Sequence, residues 1–278
     1  MDLSQPSPDE PTAAEGAAGA PPVRAEVDGR VARLTLDRPE RLNALDDRVR
    51  LAIRDLLDEL EERPDVSVLV LAGAGRAFSA GADLKATSYP PPATDDDWVT
   101  RRHATGTWQR LLDQLGRIPQ VTVAALHGHV IGGAALLAAA CDIRIGADDT
   151  RLRIPELAIG IPLTWAGVPL LIREVGLPVA RDWVMTCRPV EADELLRTGY
   201  VTRLVPVADL DAAVDACVAE LLVAPPGPLA MTRAMTAAIG RATPALATAW
   251  ADADHQRWSF TEDEYREAVR RYVEGVRG

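Results

Sequence analysis

Three short segments carry residue types that could do chemistry. The run Gly75-Arg76-Ala77-Phe78-Ser79-Ala80-Gly81-Ala82-Asp83-Leu84-Lys85 places Gly81 among small residues, where something could approach the backbone closely. It admits three readings: a plain surface turn, a nucleophile elbow on Ser79, or a backbone N–H directed at a developing oxyanion. The elbow reading meets Ala77 where that motif has glycine, and it needs His103, His127, His129 or His255 as its base. The second segment, His127-Gly128-His129-Val130-Ile131-Gly132-Gly133-Ala134-Ala135-Leu136, ends a strand and opens a helix through two glycines. The first N–H groups of a helix have no partner within it, so they can hold an anion or an enolate oxygen. Tight packing of helix on sheet explains the same glycines. The third segment sets Glu156 among Ile154, Leu157 and Ile159, where burial would raise a carboxyl toward the range of a general base. A salt bridge to Arg151 or Arg153 is the alternative.

Among the 30 basic residues Lys85 is the single lysine, which suits a compact ammonium beside a phosphate or adenine, or is chance. His127 and His129 would point to opposite faces of a strand, and no carboxylate or cysteine stands beside them to complete a metal site.

The elements that must position these groups read as α/β. Residues 24–27 and 31–36, joined at Asp28-Gly29, form a hairpin. A helix follows from about Asp46 to Arg63, with Val49, Ile53, Leu56, Leu57 and Leu60 at helical spacing and Asn43 or Asp46 as its cap. Val66 to Leu71 is a strand covered on both faces. After the Pro-rich, acidic stretch 89–97 comes a helix from Trp98 to Leu115, a buried strand from Val121 to Leu126, a helix from Gly133 to about Ala140, and a strand from Asp142 to Ala147. Strands alternating with helices imply parallel pairing. Beyond Pro169 the pattern is helical to the end, broken near Gly176, Arg188-Pro189, Gly199 and Ala224-Pro225-Pro226. The charged last helix, Glu262 to Val276, is of a kind that packs on a neighbouring subunit.

The 278 residues carry a formal charge of −11, which excludes a nucleic-acid binder that relies on a general basic field. Met1 to Pro22 has four acidic residues, no basic one and no apolar run, so it reads as a disordered acidic tail and not as a targeting peptide. Cys141, Cys187 and Cys217 are odd in number and widely spaced, which argues against a disulfide framework or zinc cage and for a reducing cytoplasm. The uncharged run from Val121 to Cys141 owes much of its apolar character to alanine and is broken by glycines and histidines, so a buried strand, turn and helix suits it better than a membrane span.

Taken together, Asp37-Arg38-Pro39 with Leu42-Asn43-Ala44-Leu45, Phe78 to Lys85, Gly128 with Gly132-Gly133, Cys141-Asp142, and Pro155-Glu156 with Gly160 resemble the crotonase family of enoyl-CoA hydratases and isomerases. The match runs in order from about Val23 to the C-terminus. The resemblance implies a crotonase-like spiral of ββα turns over residues 23–215, a helical trimerisation region over 216–278, and assembly as a homotrimer or hexamer. It implies an acyl-CoA thioester as substrate, with coenzyme A arriving on that substrate and no separate cofactor. It makes Ala82 and Gly133 the two oxyanion N–H donors. Pantetheine and adenine would lie along Arg41, Leu42 and the loop Ala80, Gly81, Asp83, Leu84 and Lys85, with Gly132, Leu136 and Trp165 beside the acyl group.

Two departures bear on the reaction. Hydratases of the family place a first glutamate three residues after the second oxyanion glycine, where this chain has Leu136; their second glutamate matches Glu156. Adding water across a 2-enoyl thioester normally employs two carboxylates, whereas moving a double bond needs one. Members similar to this chain in having leucine beside a single glutamate are Δ3,Δ2-enoyl-CoA isomerases. A hydratase, another reaction of the family and a non-catalytic acyl-CoA binder are the alternatives. Pro162-Leu163-Thr164-Trp165 stands where many hydratases have a Gly-rich run, and Trp165 either narrows the acyl pocket or packs in the core.

Overall fold

The computed structural model describes residues 21–84, 97–242, 251–261 and 263–275. Residues 1–20 of the tail expected over 1–22, Lys85 and the stretch 86–96 lie outside the described residues. The elements in chain order are β1 (Val23–Asp28), β2 (Val31–Leu36), α1 (Asp47–Glu61), β3 (Val68–Gly73), α2 (Trp98–Thr105), α3 (Thr107–Leu115), β4 (Val121–Leu126), β5 (His129–Ile131), α4 (Gly133–Ala139), β6 (Ile143–Ala147), β7 (Arg151–Arg153), α5 (Gly167–Thr186), β8 (Val190–Glu191), α6 (Ala192–Arg197), β9 (Arg203–Val205), α7 (Leu210–Leu222), α8 (Pro226–Arg241), α9 (Asp252–Thr261) and α10 (Asp263–Gly275). A 3-10 turn over Glu156–Ile159 joins β7 to α5.

One sheet runs β1-β2-β3-β4-β6-β9, parallel except for the β1–β2 hairpin. A second, smaller sheet runs β5-β7-β8. Consecutive turns of chain give one strand to each sheet and then a helix: β4, β5 and α4, then β6, β7 and the turn into α5. This is the expected ββα spiral. The central strands are buried on both sides, and alternation sorts their side chains. Leu69, Leu71, Ala124 and Leu126 join the main core, while Val68, Val70, Val123, Ala125, Ile145 and Ala147 meet Leu210, Val214, Cys217 and Val218 of α7 on the other face.

Several expectations are corrected. The helix expected over residues 98–115 is two helices, parted at Gly106, whose N–H turns back to the Arg102 carbonyl. The stretch beyond Pro169 is not wholly helical: β8 and β9 lie within it, and β9 is the sixth strand of the main sheet. The boundary expected between residues 215 and 216 falls inside α7. Asp46, and not Asn43, caps α1 by accepting the Val49 N–H at 3.0 Å. Apart from these corrections, helix α10 also makes contacts within its own chain: Tyr265 meets Ile159 and Ile161, and the Tyr265 Cα comes so near Gly160 that a side chain there would touch it.

All three cysteines are buried and unpaired. Among the described residues no helix is long and apolar enough to cross a membrane.

Candidate active site

The loop 79–84 is laced between two others. On one side the Ala80 N–H donates to the Leu42 carbonyl at 2.8 Å, Leu45 N–H to the Gly81 carbonyl at 2.8 Å, and Asp83 N–H to the Leu45 carbonyl at 3.0 Å. On the other, Ser79 N–H donates to the His129 carbonyl and Ile131 N–H to the Ser79 carbonyl. This lacing uses up the neighbours of Ala82 but not Ala82 itself. Among the described residues its N–H makes no hydrogen bond, and neither does that of Gly133, the first residue of α4. Both residues line one cavity of about 80 Å³, together with Ala80, Gly81, Leu84, Gly132, Leu136, Glu156 and Trp165. The lacing fixes two unpaired donors at the wall of one small space, as stabilising a developing negative charge requires.

Glu156 begins the 3-10 turn after Pro155. The residue as a whole is half-buried, but its Oε2 is shut off from solvent and accepts no hydrogen bond among the described residues. Burial pushes the carboxyl up to about 7 from its ordinary 4.5, and a backbone hydrogen bond pulls weakly the other way. The carboxylate lies against Gly132, where a Cβ would stand 2.7 Å from Oε1. Gly132 itself has a positive φ of 53° and a ψ of −120°, a conformation open to glycine. The salt-bridge alternative falls away: Arg151 pairs with Glu191 at 2.8 Å, and Arg153 donates to the Cys187 carbonyl at 2.7 Å. Of the three apolar neighbours expected to bury Glu156, Ile154 and Ile159 are buried and Leu157 is exposed.

The nucleophile reading of Ser79 also fails. Its side chain is fully buried; Oγ donates to the Asn43 carbonyl at 2.8 Å and accepts the Gly81 N–H at 3.1 Å, and no histidine lines the cavity among the described residues. Asn43 in turn ties the loops from within, donating from Nδ2 to the carbonyls of Ala74 and Ala77 at 2.8 Å each.

Arg41, Leu42 and Asp83 do not line the cavity. Asp83 is buried and pairs through Oδ2 with Arg38 at 3.3 Å and Arg41 at 3.2 Å, so it braces the loop and does not point at a ligand. Arg38 also reaches Asp46 at 3.0 Å. Arg41 remains largely exposed beside the cavity's loop.

Leu136 is buried within the cavity wall, where it presents no acid. Trp165 seats its ring directly over Gly133: a Cβ there would fall 2.2 Å from Cζ3. Two residues that sequence reasoning missed, Gln256 of α9 and Tyr272 of α10, complete the lining. Tyr272 sits under the Arg153 guanidinium at 5.9 Å, and burial raises its phenol. The one signal for it was the spacing of Tyr265, Ala268, Val269 and Tyr272 on one helix face.

The enoyl-CoA hydratase/isomerase family model matches residues 26–277. A Mycobacterium tuberculosis protein named "Probable enoyl-CoA hydratase" is 34% identical over 188 residues, spanning 66% of this chain and 69% of that one. The crystal structure of a Thermobifida fusca protein in complex with acetoacetyl-CoA aligns with a TM-score of 0.71 at 31% identity, over 86% of this chain and 95% of that one. A monofunctional enoyl-CoA isomerase of M. smegmatis aligns with a TM-score of 0.64 at 29% identity, over 77% and 90%. With its spiral of ββα turns, and with two unbonded amides and one glutamate lining the same cavity, the chain belongs to the enoyl-CoA hydratase/isomerase family, the crotonases.

Proposed function

We propose that this enzyme moves the double bond of a 3-enoyl-CoA to the 2-position, with Glu156 as the only proton carrier. The observation that carries the reading is the one carboxyl that lines the cavity among the described residues, with an oxygen shut off from solvent and a value raised to about 7, sharing that cavity with two unbonded N–H groups and with Leu136 where a second acid would stand. The thioester carbonyl oxygen accepts from Ala82 and Gly133, each donor contributing about 3 kcal/mol to the transition state. Glu156 takes a proton from C2, the electrons pass into a dienolate whose charge rests on the thioester oxygen, and the same carboxylic acid returns the proton to C4. Nothing is gained or lost by the substrate. A carboxyl poised near neutrality suits both halves of that transfer.

The complex of the Thermobifida relative with acetoacetyl-CoA supports an acyl-CoA thioester as ligand, coenzyme A being part of that substrate. Ala80 to Leu84, with Arg41 and Leu42 beside them, form the rim along which pantetheine would run. Met231, Met235 and Ile239 of α8 stand four residues apart and are 66%, 68% and 76% exposed, an apolar stripe that supports association into a trimer or hexamer. The buried, unpaired cysteines suit a reducing cytoplasm.

The test is a paired assay with 3-butenoyl-CoA and 2-butenoyl-CoA, with Glu156→Gln as control. Conversion of the first alone, lost in the variant, is expected. Hydration of the second at a comparable rate overturns the isomerase reading, and tight binding of butyryl-CoA without turnover of either overturns catalysis.

A further inference from the structure

Part of the cavity wall is the Trp165 indole, which a second indole backs. Trp165 lies over Gly133, and its other partner is Trp108 of α3, with ring centroids 4.8 Å apart and planes 10° from parallel. Both side chains are buried. Trp165 is held there against backbone preference: it and Ala166 have φ of 60° and 58°, a region that costs a non-glycine residue about 1–3 kcal/mol. The Ala166 N–H is fixed by the Asp252 carboxylate of α9 at 2.8 Å. A costly conformation retained and clamped by a distant helix is a reason to ask what the ring does.

The residues that follow each indole in sequence line a second, larger space. A groove of about 890 Å³ is bordered by Gln109 and Leu112 of α3, Ala140 after the end of α4, and Ala166 and Leu170 of the α5 segment. Each border residue is the sequence neighbour of an indole, or lies one turn from an indole, from such a neighbour or from the cavity-lining Leu136. Ala166 follows Trp165, Gln109 follows Trp108, and Ala140 stands one turn after Leu136. Helix α4 thus runs from the cavity at Gly133 to the groove at Ala140, about 10 Å at 1.5 Å per residue, and the two stacked indoles each stand one residue before a groove-lining residue, Ala166 or Gln109.

We propose that the Trp165–Trp108 stack ends the acyl site and makes this enzyme selective for short acyl thioesters; this rests on the acyl-CoA reading above. The cavity of about 80 Å³ takes roughly six water-sized groups at about 10–15 Å³ each. A thioester group and the rest of an acyl chain of about four carbons fill it. A longer chain meets the edge of the Trp165 ring, which cannot move aside because Trp108 is stacked on one face and Gly133 lies against the other. With either ring removed, the chain passes into the groove.

The experiment compares the binding of butyryl-CoA and decanoyl-CoA by calorimetry, a readout that does not need turnover. The wild-type protein is expected to bind decanoyl-CoA at least about tenfold more weakly, because the extra chain must overpack a closed core. In Trp165→Gly, which suits the positive φ at that position, and independently in Trp108→Ala, that ratio is expected to fall to within about threefold. Circular dichroism confirms folding, and if one variant fails to fold the other decides. Equal binding of the two ligands by the wild-type protein overturns the inference, as does an unchanged ratio in a folded variant. Binding of neither ligand overturns instead the acyl-CoA reading on which it rests. A structural role of the stack alone would lower both affinities together and leave their ratio where it was.

Discussion

Replacing Glu156 by glutamine is expected to abolish turnover and to stabilise the protein, for one reason. The fold holds this carboxyl near 7 against an ordinary 4.5. At about 1.4 kcal/mol per pH unit, ionising it in place costs about 3 kcal/mol. Because the folded value lies above the unfolded one, the proton is bound more tightly in the fold. Below pH 4.5 both states carry it and there is no penalty. As pH rises from 4.5 to 7 the unfolded chain loses its proton first and stability falls; above 7 the whole penalty is present. A neutral amide of the same shape escapes it. Glu156→Gln is therefore expected to exceed the wild-type protein in unfolding free energy by up to about 3 kcal/mol at pH 8, but by less than about 1 kcal/mol at pH 5. In thermal melts that is a gain of roughly 6–12 °C at the higher pH. The same value sets the activity profile: the base is about one-tenth ionised at pH 6 and about nine-tenths at pH 8, so kcat/KM should rise about ninefold between them. A profile flat from pH 6 to 8, a variant with wild-type turnover, or a variant that melts no higher at pH 8 would refute the reasoning.

Three further perturbations probe the frame around the base. Gly133→Ala puts a methyl 2.2 Å from the Trp165 ring, so the helix start must shift, and kcat is expected to fall by about 10²-fold with the loss of one donor; a kcat within threefold would remove Gly133 from the oxyanion role. Asp83→Ala leaves the buried Arg38 with Asp46 as its remaining charged partner and should cost about 3 kcal/mol in urea unfolding, whereas a loss below about 1 kcal/mol would mean the brace is unimportant. Met235→Glu combined with Ile239→Glu charges the exposed stripe of α8 and should reduce the mass seen by light scattering to that of one chain, and an unchanged assembly would exclude that face.

The sequence made the main sheet and the site's loops legible where the pattern was long enough to have a period. Val49 to Leu60 gave α1 because five apolar residues repeat on one face, and Val121 to Leu126 gave β4 as an unbroken buried run. The second sheet was hidden because β5 and β7 have three residues each and β8 two, too few to show alternation. Strand β9 was hidden among helices for the same reason. In the site, Glu156 could be singled out by its apolar neighbours, but the seating of its Oε1 against Gly132, just before α4, is brought in by the fold. Gln256 and Tyr272 reach the cavity across about a hundred residues of chain, and no local pattern announces that. Asp83 shows the opposite error: a charged residue inside a binding motif that the fold uses on Arg38 and Arg41.

For the glycines at 132 and 133, packing and chemistry had been rival explanations, and the geometry shows why they cannot be separated. At Gly132 the missing side chain admits the Glu156 carboxylate, and at Gly133 it admits the Trp165 ring. Both are packing contacts by any measure of distance. Yet the first brings the base within the wall that carries the unbonded N–H, and the second sets an apolar ring beside that N–H, where a low local dielectric strengthens charge interactions. A methyl at either place would act first as a steric fault and only through that as a catalytic one. Loss of activity in such a variant is therefore informative only beside a measurement of stability, and the two should move in the same direction for the glycines. For Glu156 they should move in opposite directions, because there the group that reacts is the one the fold would be more stable without.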